Sequence, residues 1–312
     1  MAVLVLGGTG FVGRHVTRQL AAAGPGVTVF HRGETTPPLP DGVATIHGSR
    51  DDRAALRSAL DAAAPEVVVD AIAYTEAQAA TLADLAAGRT DRLVALSSGD
   101  VYRQYDGLRG QSEAPPDPVP LTEDAPLRAS RYPYRGAQID FPYADDYDKI
   151  LVEEQLRAGP VPATILRLPM VYGPGDPQGR VAGVLDRLRV SDGPLVLGEQ
   201  QARWRTSRGY VENVAAAIVR AVVDPTAAGR TYNLGEPDAL PEATWLRRIA
   251  AAAGLEASFE RRPDAQVDGA PPFDWAYDPA PDTRRPRTEL GVAEPIVHAE
   301  ALSRTLADTS PP

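Results

Sequence analysis

The residues nearest to chemistry come at the start, in Gly7-Gly-Thr-Gly-Phe-Val-Gly13. Gly7 permits a tight turn, and Gly10 lets backbone approach a pyrophosphate. Gly13 lets a following helix pack closely on the preceding strand, with the helix N–H groups aimed at the anion. The segment follows an apolar run, Ala2–Leu6, and opens an Ala-rich stretch of helical period. In that context the glycines read as a dinucleotide turn, against the competing reading of a glycine turn with no ligand. A Walker loop does not fit, because Arg14-His15 stands where Lys-Ser/Thr is needed. The next apolar run, Val27–Phe30, ends in His31-Arg32-Gly33. A reader of NAD keeps a carboxylate there for the ribose 2′-hydroxyl, whereas Arg32 suits a 2′-phosphate and Arg14 adds a second cation. NADP is therefore expected over NAD, with a solvated loop arginine as the competing meaning of Arg32.

The Gly-x-x-Gly-x-x-Gly spacing, together with chain length and later motifs, resembles the short-chain dehydrogenase/reductase superfamily. Within it the chain is similar to the extended NAD-dependent epimerase/dehydratase branch, as an atypical member. The resemblance covers most of the chain and fades in residues 103–142 and after about residue 236. It implies cofactor contacts from Gly7, Thr9, Gly10, Phe11, Val12, Gly13, Arg14, Arg32, Ala71, Ala73, Lys149, Pro169 and Val171. After the third strand the branch shows Gly-Asp against adenine; here Gly48-Ser49-Arg50 takes its place, so Ser49 and Arg50 become the candidates.

The same resemblance implies a catalytic set. Leu96-Ser-Ser-Gly-Asp-Val-Tyr102 is similar to the segment in which a Ser or Thr, four positions before a Tyr, bonds the reacting oxygen; Ser98 takes that place. Asp100 falls where dehydratases of the branch keep a Glu as base, and Gly99 replaces their acidic neighbour. Asp100 reads equally as a turn-capping residue. Lys149, followed by Glu153, matches the lysine of Tyr-x-x-x-Lys, but position 145 is Asp. On a continuous helix Asp145 and Lys149 form an i,i+4 ion pair, and Tyr147 lies roughly 200° from the lysine. An irregular helix start would bring Tyr147 or Tyr143 into the pocket instead. Lys149 retains the role of holding the nicotinamide ribose. Val171-Tyr-Gly-Pro-Gly175 resembles the strand closing over the nicotinamide, with Met170 in place of an Asn. Tyr102, Tyr172, Arg203, Arg205 and Arg208 become substrate-binding candidates, the arginines as anion readers or as solvated surface residues.

Elements that alternate must position these residues. Apolar runs at Ala2–Leu6, Val27–Phe30, Val67–Asp70, Leu93–Leu96, Thr164–Leu168 and Thr231–Leu234 are separated by helical stretches. The helices are expected at Val12–Ala23, Arg53–Ala63, Glu76–Ala86, Asp146–Ala158, Val211–Val223 and Ala243–Ala253. Continuous apolar strands between helices call for a parallel sheet covered on both faces. The expected fold is α/β: a Rossmann doubly wound parallel sheet with a smaller irregular C-terminal substrate lobe. Residues 1–172 would form the dinucleotide-binding domain, completed by about 206–235. Residues 173–205 and 236–312 would form the lobe. Residues 103–142 read as an irregular excursion of the kind that builds lids and substrate walls, and Asp308–Pro312 as a frayed tail.

Composition narrows the rest. The 312 residues carry 32 basic and 42 acidic side chains, a formal net charge of −10, which disfavours nucleic acid as a partner. The absence of cysteine excludes disulfides and thiolate chemistry, and four scattered histidines give no metal spacing. No apolar run suits a membrane span, no signal peptide is expected, and the expected location is cytoplasmic. The expectation is an NAD(P)-dependent epimerase/dehydratase-like oxidoreductase acting on a carbonyl or carbinol of a small polar substrate, with a homodimer implied by the resemblance. The alternatives are a redox-neutral isomerase, cyclase or lyase on the same fold, or a non-catalytic NADP-binding or RNA-binding relative.

Overall fold

Short apolar runs between helices can satisfy their backbone polar groups only by pairing strand to strand. In the computed structural model, which describes residues 1–34, 37–190, 193–267 and 271–309, they do so as one parallel sheet. Its strands are β1 (Ala2–Leu6), β2 (Gly26–His31), β3 (Ala44–His47), β4 (Val67–Asp70), β5 (Arg92–Ser98), β6 (Ala163–Leu168) and β10 (Thr231–Asn233). Their order is β10-β6-β5-β4-β1-β2-β3. Strands are added outward from β1 through β2 to β3 and then, from β4 onward, on the other side of β1, so the carboxyl ends of β1 and β4 border the crevice where such sheets bind ligands.

Helices α1 (Phe11–Ala23) and α7 (Val211–Val223) cover one face of the sheet. Helices α2 (Arg53–Ala63), α3 (Glu76–Ala86) and α5 (Lys149–Ala158) cover the other. Caps set two of the starts. The Asp52 side chain accepts the N–H groups of Ala54 and Ala55 to open α2, and a Thr75–Gln78 capping box opens α3. The expected helix from Asp146 begins later, at Lys149, because Asp148 caps it and residues 142–146 run as turns.

The excursion at 103–142 is less irregular than expected, since it contains α4 (Arg103–Leu108). Beyond the sheet, β7 (Met170–Tyr172) pairs in parallel with β9 (Arg208–Tyr210), and β8 (Leu195–Gly198) with β11 (Phe259–Arg262). Strands β8 and β11 with α6 (Ala182–Val190), α8 (Glu242–Ala252), α9 (Arg284–Leu290) and α10 (His298–Thr309) build the smaller lobe. Its core is continuous with the sheet: Trp245, Leu246, Leu290 and Ala301 belong to the same buried cluster as Val3 and Val29. The tail departs from expectation at Asp308, which lies in α10 and accepts the Gly175 N–H at 2.7 Å; Ser310–Pro312 fall outside the described residues. Among the described residues no helix is long and apolar enough to cross a membrane.

Candidate active site

The glycine turn has the geometry its spacing demands. Gly7 holds φ at +78°, and a Cβ there would lie 2.5 Å from Ile72. A Cβ on Gly13 would lie 2.1 Å from the Gly7 carbonyl oxygen, so only glycine lets α1 sit this close to β1. Gly10 is exposed, and a Cβ on it would meet only the Gly7 carbonyl, at 3.5 Å. A small open cradle therefore faces out at the mouth of α1. The N-cap, Gly10, has no side chain to cap that mouth, and the first turn carries no acid. The positive end of a helix dipole with that vacancy suits a diphosphate, so the residues present fit a dinucleotide.

A buried cluster lies at the carboxyl ends of β4 and β5. Lys149 donates to the backbone carbonyls of Ala73 at 2.6 Å and Leu96 at 2.8 Å, pinning the ends of both strands. Its ammonium lies 5.0 Å from the Tyr74 ring centre and 5.9 Å from that of Tyr147. Burial lowers the Lys149 pKa to about 8, with Asp70 and Asp100 opposing. The Tyr147 hydroxyl donates to Asp100 Oδ2 at 2.8 Å, and the Tyr134 hydroxyl to the same oxygen at 3.4 Å. Tyr134 is in turn 2.8 Å from the Tyr105 hydroxyl. Ser98 Oγ accepts the Asp100 N–H at 3.2 Å. Burial raises the Asp100 pKa, against the pull of Arg128. Tyr147 is pushed well above the ordinary phenol value by burial and by the Asp100 carboxylate. Asp100 Oδ1 is buried with no hydrogen-bond partner among the described residues. Burial makes this carboxyl bind a proton more readily than an exposed one does.

The late start of α5 brings these groups together. Tyr147 lies in non-helical chain, bridged to Thr75, so the angular separation of a continuous helix does not apply. Asp145 is exposed and accepts the Gly136 N–H at 2.8 Å, and its expected helical ion pair with Lys149 does not form because residue 145 precedes the helix. Tyr143 donates to Asp51 at 2.7 Å and lies apart from Asp100. One organising residue escaped the sequence reading. Arg128 is fully buried and grips Asp148, the α5 cap, with two nitrogens at 2.8 and 3.2 Å. It also donates to the Asp100 backbone carbonyl at 3.1 Å. Only the Asp148-Lys-Ile-Leu cap pattern hinted at it from the sequence.

Other candidates scatter. Ala73 meets Lys149 through its carbonyl, while Ala71 ties to Leu6 at 3.1 Å. Arg32 is exposed at the end of β2 and pairs with Glu34 at 2.8 Å. Ser49 accepts the Asp51 N–H at 3.2 Å, and Arg50 is buried against Asp70. Arg14 turns away from Arg32 to the Pro174 carbonyl at 2.6 Å, and Val171 lies in the core. Pro169 packs beside Gly209.

Tyr102 does not face a substrate. It is fully buried, donates to Asn233 at 2.6 Å and accepts from Arg167 at 2.9 Å. Glu153 holds that same Arg167 at 2.8 and 3.0 Å. Arg203 and Arg205 are exposed, whereas Arg208 is buried against Glu242, so the three do not converge. Removing one partner of a buried pair costs about 3–5 kcal/mol, which makes Arg208 a poor free anion reader. Tyr172 and Arg208 instead line a cavity of about 130 Å³ with Met170 and Trp245. No group of described residues has metal-ligand clustering.

The model of the NAD dependent epimerase/dehydratase family matches residues 3–235. The chain is 29% identical over 264 residues to 2′-dehydrokanamycin reductase of Streptomyces kanamyceticus, covering 81% of this chain and 67% of the relative. It is 30% identical over 262 residues to 3-diazoavenalumate denitrifying reductase of a Streptomyces species, covering 81% and 82%. Among solved structures it resembles UDP-glucose 4-epimerase of Thermus thermophilus in complex with NAD, at TM-score 0.70 and 22% identity over 99% of both chains. It also resembles WbmH of Bordetella bronchiseptica in complex with NAD⁺, at TM-score 0.72 and 18% identity over 98% and 97%. At those identities the likeness is one of fold.

Proposed function

The chain belongs to the NAD dependent epimerase/dehydratase family and is a nicotinamide-using, epimerase/reductase-like oxidoreductase, and from that premise we propose that it is an NADP(H)-dependent reductase of a small-molecule carbonyl whose proton comes from Tyr147 and Asp100 acting together. The observation that carries this is the 2.8 Å bond from the Tyr147 hydroxyl to a buried Asp100 beside Lys149. It supplies a phenol at the place where Asp145 leaves the family's helix position without one. Support for the reductase direction comes from the two curated relatives, both of them reductases by name.

Gly10 and the mouth of α1 would take the diphosphate, Lys149 the nicotinamide ribose and Arg32 the 2′-phosphate. The bound nicotinamide supplies the hydride. Ser98 orients the substrate oxygen. Tyr147 passes its proton to that oxygen, and Asp100 in its protonated form, whose proton affinity burial raises, returns a proton to the resulting phenolate as their hydrogen bond reverses. Tyr134 and Tyr105 lie on the route by which Asp100 regains its proton. Lys149 holds positive potential beneath the phenol. The lobe of residues 173–205 and 236–312 would hold the rest of the substrate. In this reading the enzyme is cytoplasmic and pairs across the outward sides of α3 and α5, where Ala77, Ala80 and Leu151 are not fully buried.

Following NADPH absorbance against a carbonyl panel of 4-nitrobenzaldehyde, glyceraldehyde and diacetyl tests the proposal. Net NADPH oxidation is expected. Conversion of a substrate with no net change in NADPH would contradict it and indicate a redox-neutral enzyme.

The Arg32–Glu34 pair is exposed and weak, so a 2′-phosphate displaces Glu34 readily. Arg32→Ala is expected to weaken NADPH binding about tenfold, about 1.4 kcal/mol, and to leave NADH unchanged; equal loss for both would contradict that role.

Lys149 gives the pH dependence. The cation is the active form, so kcat is expected to fall as pH rises through about 8. Stability runs the other way. The folded pKa is depressed below the ordinary 10.5, so the cost of burying the cation is full below about 8 and relieved as pH climbs toward 10.5. A kcat profile flat from about pH 7 to 10 would remove Lys149 from the mechanism.

A further inference from the structure

The cavity lined from β7, α6, β9 and α8 carries information about the substrate that the catalytic cluster does not. Its volume is about 130 Å³. An apolar protein cavity of about 150 Å³ is enough to hold one benzene. Met170, Tyr172, Val184, Trp204 and Trp245 supply its apolar lining. The rings are fixed: Trp204 donates its indole N–H to the Tyr277 carbonyl at 3.0 Å, and Trp245 meets Tyr172 edge-on at 5.0 Å. They therefore present ring faces and edges, which stack on another ring.

The charges in the wall cancel. Arg208 lies 4.8 Å over the Trp245 ring and its guanidinium is spent on Glu242. Arg180 pairs with Asp176 at 3.1 Å and donates to the Val171 carbonyl at 2.9 Å. A phosphate entering here would have to break the buried Arg208 pair and would face the Glu242 carboxylate. The wall residue Arg180 also keeps an unsatisfied donor: its Nε is buried with no hydrogen-bond partner among the described residues. It suits a single oxygen carried on a ring. The cavity also lies next to the chemistry. Leu168 pairs in register with Ser98, and Met170 is two residues further on, about 7 Å along an extended chain.

Building on the reductase reading, we propose that this cavity takes an uncharged, oxygen-bearing six-membered ring of the substrate and rejects the diphosphate end of a sugar nucleotide. Calorimetry on the full chain with phenol as the ring probe and UDP as the nucleotide probe tests it. Phenol is expected to bind saturably and UDP to give no heat. Val184→Trp, which fills the cavity, is expected to weaken phenol at least tenfold and leave NADPH binding unchanged. Met170→Trp repeats the blockade from the opposite wall should Val184→Trp fail to fold. Glu242→Gln frees Arg208 and is expected to make UDP binding appear. UDP binding to the unaltered chain, silence with phenol, or phenol binding indifferent to both tryptophan variants would each overturn the proposal. NADPH titrated into the same sample separates the two levels. Heat from NADPH with none from phenol sinks the ring subsite alone, whereas silence from NADPH sinks the reductase reading beneath it.

Discussion

Replacing Tyr147 with Phe is expected to lower kcat for NADPH-dependent carbonyl reduction by about 100- to 10,000-fold, the range a positioned proton donor contributes. The variant keeps the ring packing against Phe141 at 6.0 Å and Tyr134 at 5.1 Å and removes only the hydroxyl. Asp100 retains its weaker bond from Tyr134 at 3.4 Å, so folding should suffer by no more than about 1–3 kcal/mol. Binding of NADPH should be unaffected, because the lost group serves the proton and not the dinucleotide. Two neighbouring substitutions sharpen the test. Tyr143→Phe breaks a bond to Asp51, and Asp145→Asn touches an exposed loop contact. Both should leave kcat within about twofold, a change below about 0.5 kcal/mol. A large loss in Asp145→Asn with Tyr147→Phe active would move the proton donor to position 145.

Arg128→Ala should produce the largest loss of stability, about 3–5 kcal/mol in urea unfolding. The substitution strands the Asp148 carboxylate, whose side chain is 0% exposed, with its Arg128 partner gone. Asp148 would keep only the Ile150 and Tyr132 N–H groups, at 2.9 and 2.8 Å, and its longer contact to Leu151. A small domain holds about 5–15 kcal/mol in all, so such a loss consumes much of the reserve. Exposure decides the magnitude. Arg53→Ala breaks the pair with Asp84, whose side chains are 57% and 66% exposed, and should leave the urea midpoint nearly unchanged. Equal effects from the two variants would show that the Arg128 clamp does not hold the start of α5.

What the sequence revealed and what it hid divide by range of interaction. The Gly7–Gly13 turn was readable because two of its demands are local: Gly7 holds a positive φ, and Gly13 must clear the Gly7 carbonyl six residues earlier. Strands β1 and β4 and helices α2, α3 and α7 fall at their expected bounds, set by neighbouring caps and apolar runs. The placement of Tyr147 against Asp100 was not readable by periodicity, since that reasoning assumes a helix already running at residue 145. Asp148 moves the start to Lys149, and the two-residue spacing then places both groups in one pocket. Arg128 acts on a partner 20 residues away across turns, and Arg208 on Glu242, 34 residues away. Nothing local in the sequence marks such pairs. The strands β8, β9 and β11 were hidden for a related reason: at three or four residues each, they are defined by their partners and not by their own pattern.

The account rests on the Gly7–Gly13 turn gripping a nicotinamide dinucleotide, and calorimetric titration of NADPH into the full chain tests that most directly. Gly10→Leu supplies the control: Gly10 has an ordinary φ of −73° and an open outer face, so the side chain should leave the fold intact while filling the diphosphate cradle. Saturable binding of NADPH at a single site, lost in Gly10→Leu, is the predicted result. Heat from neither NADPH nor NADH, or NADPH binding indifferent to Gly10→Leu, would contradict it.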